Sequence, residues 1–288
     1  MIPPYDWQAF IAQAFKEDIG NDIKGGDHTS LSCIPPAATG SARLLVKEDG
    51  VLAGVELAKM IVDHYDPGIK FEPLLPDGTR IEKGDLAFHL HGKAQSILSV
   101  ERLLLNCMQR MSGVATLTSK FVEKLKGTKV KILDTRKTTP LFRAVEKWAV
   151  RLGGGDNHRF GLYDMIMIKD NHVDFAGGIP QAIDRVNRYL REKNLDLKIE
   201  IETRNINEVQ QVLETGHVHR IMLDNFKPED IHQAVSKIGG KYEIEISGGI
   251  TLDTVQQYAI EGVDFISVGA VTHSYKSLDL SLKAKFLK

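Results

Sequence analysis

Side chains able to grip anions follow directly on short aliphatic runs. Arg136 and Lys137 come after the run at 130–133, Lys169 after 165–168, and His158 and Arg159 after the glycine loop 153–155. Arginine forks onto a carboxylate through paired hydrogen bonds, whereas lysine meets phosphate as a point charge. So many cations in one cleft imply an oligoanionic substrate. Two carboxylates, Glu202 and Asp224, close the runs at 199–201 and 221–223. Beside a phosphorylated ligand they suit Mg²⁺ held through water and ribose hydroxyls rather than in a protein cage. Glu200 shares the parity of Glu202, so both can face inward; salt-bridging of the acids to the lysines is the competing use.

Two later runs end in Ser247-Gly248-Gly249 and in Gly269-Ala270, with helix-start patterns behind them at 251–253 and 272–274, the latter including His273. Glycine lets backbone N–H groups approach an anion, and a helix N-terminus adds partial positive charge. The pair reads as a sugar-phosphate site, although a tight turn with a cap explains either one alone.

These residues must be brought together by elements that open on one face. From residue 129 onward, aliphatic runs at 130–133, 165–168, 199–201, 221–223, 244–246 and 265–268 alternate with helical patterns at 141–152, 180–190, 206–213, 228–238 and 252–260. Such alternation with right-handed crossovers gives a parallel sheet. Six units without a dinucleotide fingerprint favour closure toward a barrel, in which all strand C-termini open on one mouth. A loop or a helix cap explains any one polar strand end; it does not explain six.

Ahead of this alternation the pattern is α+β. Apolar spacing predicts helices over 6–18 and 55–65, and strands over 41–46, 51–53 and 86–90, the first two flanking a Glu48-Asp49-Gly50 turn. A long helix over 99–125 carries Gly113, which either interrupts it or admits another backbone. The expected domains are 1–112, α+β and joined by the tail 275–288, and 113–274, an α/β barrel of about six parallel strands. The 288 residues carry 37 Lys+Arg against 38 Asp+Glu, a net charge of −1, which argues against a nucleic-acid binder working through a global basic field. No apolar run is long enough to span a bilayer and no signal-peptide pattern opens the chain. With two cysteines the expectation is a reduced, cytoplasmic protein. Cys107, Met108, Met111, Met165 and Met167 follow core periodicities. His89-x-His91 and His217-x-His219 lack a third metal ligand at suitable spacing.

Taken in order, ERLLLNCMQRMSG (101–113), DTRKTTP (134–140), GGGDNHRFGLYD (153–164), IKDNHV (168–173), IEIET (199–203), MLDNF (222–226), ISGGI (246–250) and ISVGAVTHS (266–274) closely resemble the quinolinate phosphoribosyltransferase family. The resemblance runs from about 99 to 280, and more weakly back to the N-terminus. It departs at Leu141, where a glycine is usual, and in an extra stretch at 21–26. It implies Mg²⁺-dependent transfer of a phosphoribosyl group from phosphoribosyl pyrophosphate to quinolinate with decarboxylation, in NAD biosynthesis. It also implies an N-terminal α+β open sandwich, a C-terminal incomplete α/β barrel with fewer strands than the usual eight, and a homodimer, extendable to a hexamer. Carried over, Arg136, His158 and Arg159 grip the quinolinate carboxylates, with Arg102 arriving from the other subunit. Lys137 and Lys169 neutralise pyrophosphate or a carboxylate. Glu202 and Asp224 serve ribose hydroxyls and Mg²⁺, while Ser247, Gly248, Gly249, Gly269 and His273 bind the 5-phosphate. Two rivals stand beside this reading. One is a Schiff-base aldolase with Lys169 as nucleophile, which needs a depressed lysine pKa. The other is an oxyanion-binding module like the family's paralogue linked to molybdenum transport, which need not keep the arginines and His158.

Overall fold

The computed structural model describes residues 4–286. In chain order its elements begin with α1 (Trp7–Ile19), α2 (His28–Cys33), β1 (Thr39–Val46), β2 (Gly50–Val51), α3 (Val55–Tyr65), β3 (Lys70–Pro73), β4 (Arg80–Ile81) and β5 (Leu86–Lys93). They continue with α4 (Ala94–Lys124), β6 (Lys131–Leu133), α5 (Arg143–Leu152), β7 (Ile166–Ile168), α6 (Asp170–Ala176), α7 (Ile179–Lys193), β8 (Ile199–Thr203) and α8 (Ile206–Thr215). The last are β9 (Arg220–Asp224), α9 (Pro228–Ile238), β10 (Glu243–Ser247), β11 (Phe265–Ser267), α10 (Ala270–His273) and β12 (Leu280–Phe286). Two compact units result. One takes the chain up to Ser119, Pro140–Gly154 and the chain from Tyr275; the other takes Lys120–Thr139 and Gly155–Ser274. These compact units part within α4 at 119–120, and the α5 segment joins the first of them, where Trp148 meets Trp7 (ring centroids 5.2 Å apart).

In the first unit an antiparallel sheet runs β12-β1-β5-β3. Strict alternation along β1 buries Ala42, Leu44 and Val46 and leaves Arg43 on the opposite face. Helix α3 buries Val55, Leu57, Ala58, Ile61, Val62 and Tyr65, and each large apolar side chain contributes about 1.5–3 kcal/mol. Its first turn is held by Asp77, whose carboxylate accepts from the backbone N–H of Gly54, Val55 and Glu56. The expected pairing around Glu48–Gly50 does not form: β1 pairs with β12 and β5, and β2 pairs with β4 in a separate ladder. Helix α4 runs through Gly113 without a break, and the glycine admits another backbone: a Cβ there would sit 2.3 Å from the Lys276 carbonyl. Cys107 is buried on that helix, and burial pushes its thiol up to about 12, which suits a core residue rather than a nucleophile. The extra stretch folds as a turn in which Asp22 accepts from the N–H of Lys24 and Gly25. Leu141 takes φ 63°, the left-handed conformation that glycine adopts freely.

In the second unit six parallel strands run β6-β11-β10-β9-β8-β7. From β7 to β11 each strand lies beside its successor, and β6 lies beyond β11. This order never reverses, unlike that of a doubly wound sheet. The ends of both edge strands nevertheless line one cavity, so the sheet curls. Among the described residues no ladder joins β6 to β7, and the barrel is incomplete. Part of the gap is occupied by the loop at 155–159, where Asp156 bridges to Leu133. The helix expected over 252–260 is a single 3₁₀ turn, Val255–Tyr258, and α6 forms where the sequence read only a polar strand end. Among the described residues no helix is long and apolar enough to cross a membrane.

Candidate active site

A cavity of about 800 Å³ opens at the C-terminal ends of the parallel strands. Its lining includes Arg136, Lys137, His158, Arg159, Lys169, Glu202, Asp224, Ser247, Gly248, Gly249, Gly269 and His273. Of the residues that the resemblance assigned to the site, only Arg102 lies elsewhere, exposed on α4 in the first unit. The rim has an order set by the sheet. Cations come from β6, the 155–159 loop and β7; carboxylates from β8 and β9; glycine-rich turns from β10 and β11.

On the cationic side the loop is pinned by Asp134, which is fully buried at the end of β6. Its Oδ1 accepts from the backbone N–H of His158 (2.9 Å) and its Oδ2 from Asn157 Nδ2 (2.5 Å). Arg159 then donates to the carbonyl of Met165 (3.2 Å). Burial lowers the Arg159 pKa and the nearby Arg136 guanidinium lowers it further. Two guanidiniums that crowd each other this way make a seat for a dianion.

His158 lines the cavity, and its ring is also engaged within the protein. Its Nδ1 accepts from the Arg159 backbone N–H (2.7 Å), while Nε2 lies 3.0 Å from Glu200 and 3.4 Å from Glu245. Both nitrogens are engaged inside the protein, so the ring supports the loop that carries Arg159. Burial disfavours charge on this ring, but the two carboxylates outweigh it and raise the pKa to about 9. The Arg159 N–H nonetheless requires a bare Nδ1, so in this conformation the ring proton sits on Nε2, toward Glu200. Burial, reinforced by Glu245, lifts the Glu200 carboxyl to about 7. Beneath them Arg220 binds Glu245 (2.7 Å) and Glu243 (3.0 Å).

Glu202 and Glu200 do share one face of β8, but only Glu202 lines the cavity. Burial holds its carboxyl above the usual range; Lys169, 3.5 Å away, pulls the other way, and Asp224 and Asp170 add to the rise. Asp224 accepts from Asn225 Nδ2 (2.7 Å).

The glycine turns approach their neighbours closely. A Cβ on Gly248 would meet Asn225 Oδ1 at 2.2 Å, and one on Gly269 would meet Lys137 Cδ at 3.0 Å and His273 Nε2 at 3.1 Å. Thr272 Oγ1 donates to the Lys137 carbonyl (2.9 Å), tying the end of β6 to α10. Neither turn leads into a helix long enough to supply a macrodipole, since one is followed by a 3₁₀ turn and the other by four-residue α10. Backbone amides and the Lys137 and His273 side chains are the donors beside these turns that an anion would meet. Sequence reasoning did not single out Glu245, Met167 or Met222 for this cavity. Met167 was assigned to the core; the parity it shares with Lys169 was the available signal.

A curled parallel sheet with cations, carboxylates and glycine turns gathered at its strand C-termini has the active-site mouth of an α/β-barrel enzyme. Family models of the quinolinate phosphoribosyl transferase N-terminal and C-terminal domains match residues 27–112 and 114–283. The chain belongs to the quinolinate phosphoribosyl transferase family and is an enzyme of the pentosyltransferase class. It is 47% identical over 295 residues to the chloroplastic nicotinate-nucleotide pyrophosphorylase (carboxylating) of Arabidopsis thaliana, covering 98% of this chain and 83% of that protein. It is 45% identical, with the same coverage, to quinolinate phosphoribosyltransferase (decarboxylating) 1b of Nicotiana tabacum. The crystal structure of NadC from Streptococcus pyogenes is similar at TM-score 0.92 and 35% identity, over 100% of this chain and 99% of that one.

Proposed function

We propose that this chain transfers the phosphoribosyl group of phosphoribosyl pyrophosphate to quinolinate with loss of CO₂, giving nicotinate mononucleotide and pyrophosphate. The observation that carries this reading is the order of the rim: paired guanidiniums, then carboxylates, then glycine turns, around one cavity. Arg136 and Arg159 seat the pyridine diacid, and His158 positions Arg159 through its backbone contact. The turns at Ser247–Gly249 and Gly269, with His273, hold the 5-phosphate. Lys137 and Lys169 neutralise pyrophosphate or a carboxylate. As pyrophosphate departs, the ribose gains oxocarbenium character, which Glu202 and Asp224 stabilise. Attack by the pyridine nitrogen makes the ring cationic; when the adjacent carboxylate leaves as CO₂, its bonding electron pair stays on the ring carbon beside the positive nitrogen, and that carbon takes up a proton from water to give the product. Positioning and charge do the work, with no enzyme nucleophile.

Glu202 and Asp224 fit a magnesium ion. They come from adjacent strands into one cavity, and their mutual repulsion would be relieved by a cation. Two carboxylates leave most of the coordination shell to water and substrate, as this ion prefers. Bound there, Mg²⁺ would neutralise the leaving pyrophosphate. A homodimer in which Arg102 completes the neighbouring site belongs to the same proposal, as does a cytoplasmic location.

The test is calorimetric. Arg136→Ala is expected to lose quinolinate binding while phosphoribosyl pyrophosphate still binds. Quinolinate binding at unchanged affinity would overturn the assignment of this guanidinium. CO₂ release on mixing both substrates with Mg²⁺, and none with nicotinate, is the expected turnover result.

A further inference from the structure

His89 and His91 alternate along β5, so both rings leave the sheet on the face opposite buried Phe88 and Leu90. Antiparallel β3 sets Glu72 directly across from His89. His91 Nε2 lies 3.3 Å from Glu72 Oε2, and the two imidazole centroids stand 6.0 Å apart with the rings at 88°. One ligand atom from each of the three lies within 4.8 Å of the others. Around a tetrahedral ion with bonds of about 2.0–2.1 Å, ligand atoms stand about 3.4 Å apart. One pair already has that spacing, and the third ligand atom, within 4.8 Å of both, has to close the rest by side-chain rotation. The missing third ligand of the His89-x-His91 motif is thus supplied by the neighbouring strand, not by sequence spacing.

Glu72 is steadied from its other side. Lys70 pairs with Oε1, which leaves Oε2 toward His91. Outer partners that orient a ligand in this way are a regular part of metal sites. Arg43 faces His89 across the sheet, and with Lys283 and Ser41 it joins both histidines around a cavity of about 460 Å³. Those two cations work against an ion held by charge alone, such as Mg²⁺ or Ca²⁺, which in any case demands more oxygens. They permit an ion held by nitrogen donor bonds whose remaining positions take water or an anion. Two imidazoles and one carboxylate are the donor set of borderline transition metals.

We propose that Glu72, His89 and His91 form a binding site for a divalent transition metal of the zinc class, on the exposed face of the first unit's sheet. The site is independent of the reaction proposed above. Titration calorimetry of the full chain with Zn²⁺ in excess Mg²⁺ is expected to register a saturable equivalent that the double variant His89→Ala/His91→Ala loses. Glu72→Gln weakens that equivalent, and His232→Ala, at an exposed histidine on α9, leaves it unchanged. Co²⁺ in place of Zn²⁺ is expected to give visible ligand-field absorption that the double variant lacks. Circular dichroism of each variant checks folding, and turnover is expected to match the wild type. Equal Zn²⁺ uptake by wild type and double variant, or no saturable uptake at all, would overturn the proposal.

Discussion

Gly248 and Gly249 are adjacent and both take positive φ, 106° and 62°, yet only Gly248 is crowded; a Cβ on Gly249 would have no neighbour within 4 Å. Gly248→Ala is therefore expected to push Asn225 aside and greatly weaken phosphoribosyl pyrophosphate binding. Gly249→Ala should cost only about 1–2 kcal/mol of backbone strain. Titration of both variants checks the contrast, and equal losses would contradict it. Glu200 carries a second prediction. Its carboxyl is raised from an ordinary 4.5 to about 7 by burial and by Glu245. A raised folded pKa gives stability that is full below the unfolded value and is lost as pH rises through the folded one. Wild-type melting temperature should thus fall between about pH 4.5 and 7 relative to Glu200→Gln, whose profile is flatter there. Parallel profiles would show that Glu200 does not titrate in this window.

At the scale of elements, α5 is held in the first unit by a pair that few local patterns disclose. Glu146 is fully buried and binds Arg110 of α4 through Nε (3.0 Å) and Nη2 (2.5 Å). Glu146→Ala takes the carboxylate from that guanidinium and is expected to lower unfolding stability by roughly 2–3 kcal/mol, below the full cost of a broken buried pair because Arg110 keeps the Phe142 and Tyr275 rings and some solvent contact. Urea unfolding measures it; a loss under about 0.5 kcal/mol, typical of an exposed pair, would contradict it. Elements with one wet face were legible in the sequence. α3 forms over 55–65 and α9 over 228–238 as read, the latter opening on Pro228. What escaped was set by partners distant in sequence. β2 is two residues long and finds β4 rather than β1, a choice local propensity cannot encode. The polar start of α6 reads as a strand-end loop, and the span at 252–260 has a helical period but closes as one 3₁₀ turn. In the cavity the strand-end residues were legible because a parallel sheet gathers its C-terminal ends. The pairing of His158 with Glu200 and Glu245 was not, since it joins a loop to two strands.

For the whole molecule, Arg102 is exposed on α4 and absent from the cavity lining of its own chain, which suits a residue offered to a second copy. If it completes the neighbouring site, mixing Arg102→Ala with Lys137→Ala subunits restores one intact site per mixed dimer, or about a quarter of wild-type activity after random exchange. Turnover after subunit exchange reads this directly, and no recovery would dismiss the shared site.

The backbone also passes between the two units four times, at 119–120, 139–140, 154–155 and 274–275. A single crossover with a homologous gene therefore cannot exchange one unit whole. Any breakpoint leaves at least one unit stitched from both parents, so chimeras of this enzyme need several simultaneous junctions before either unit keeps its native packing.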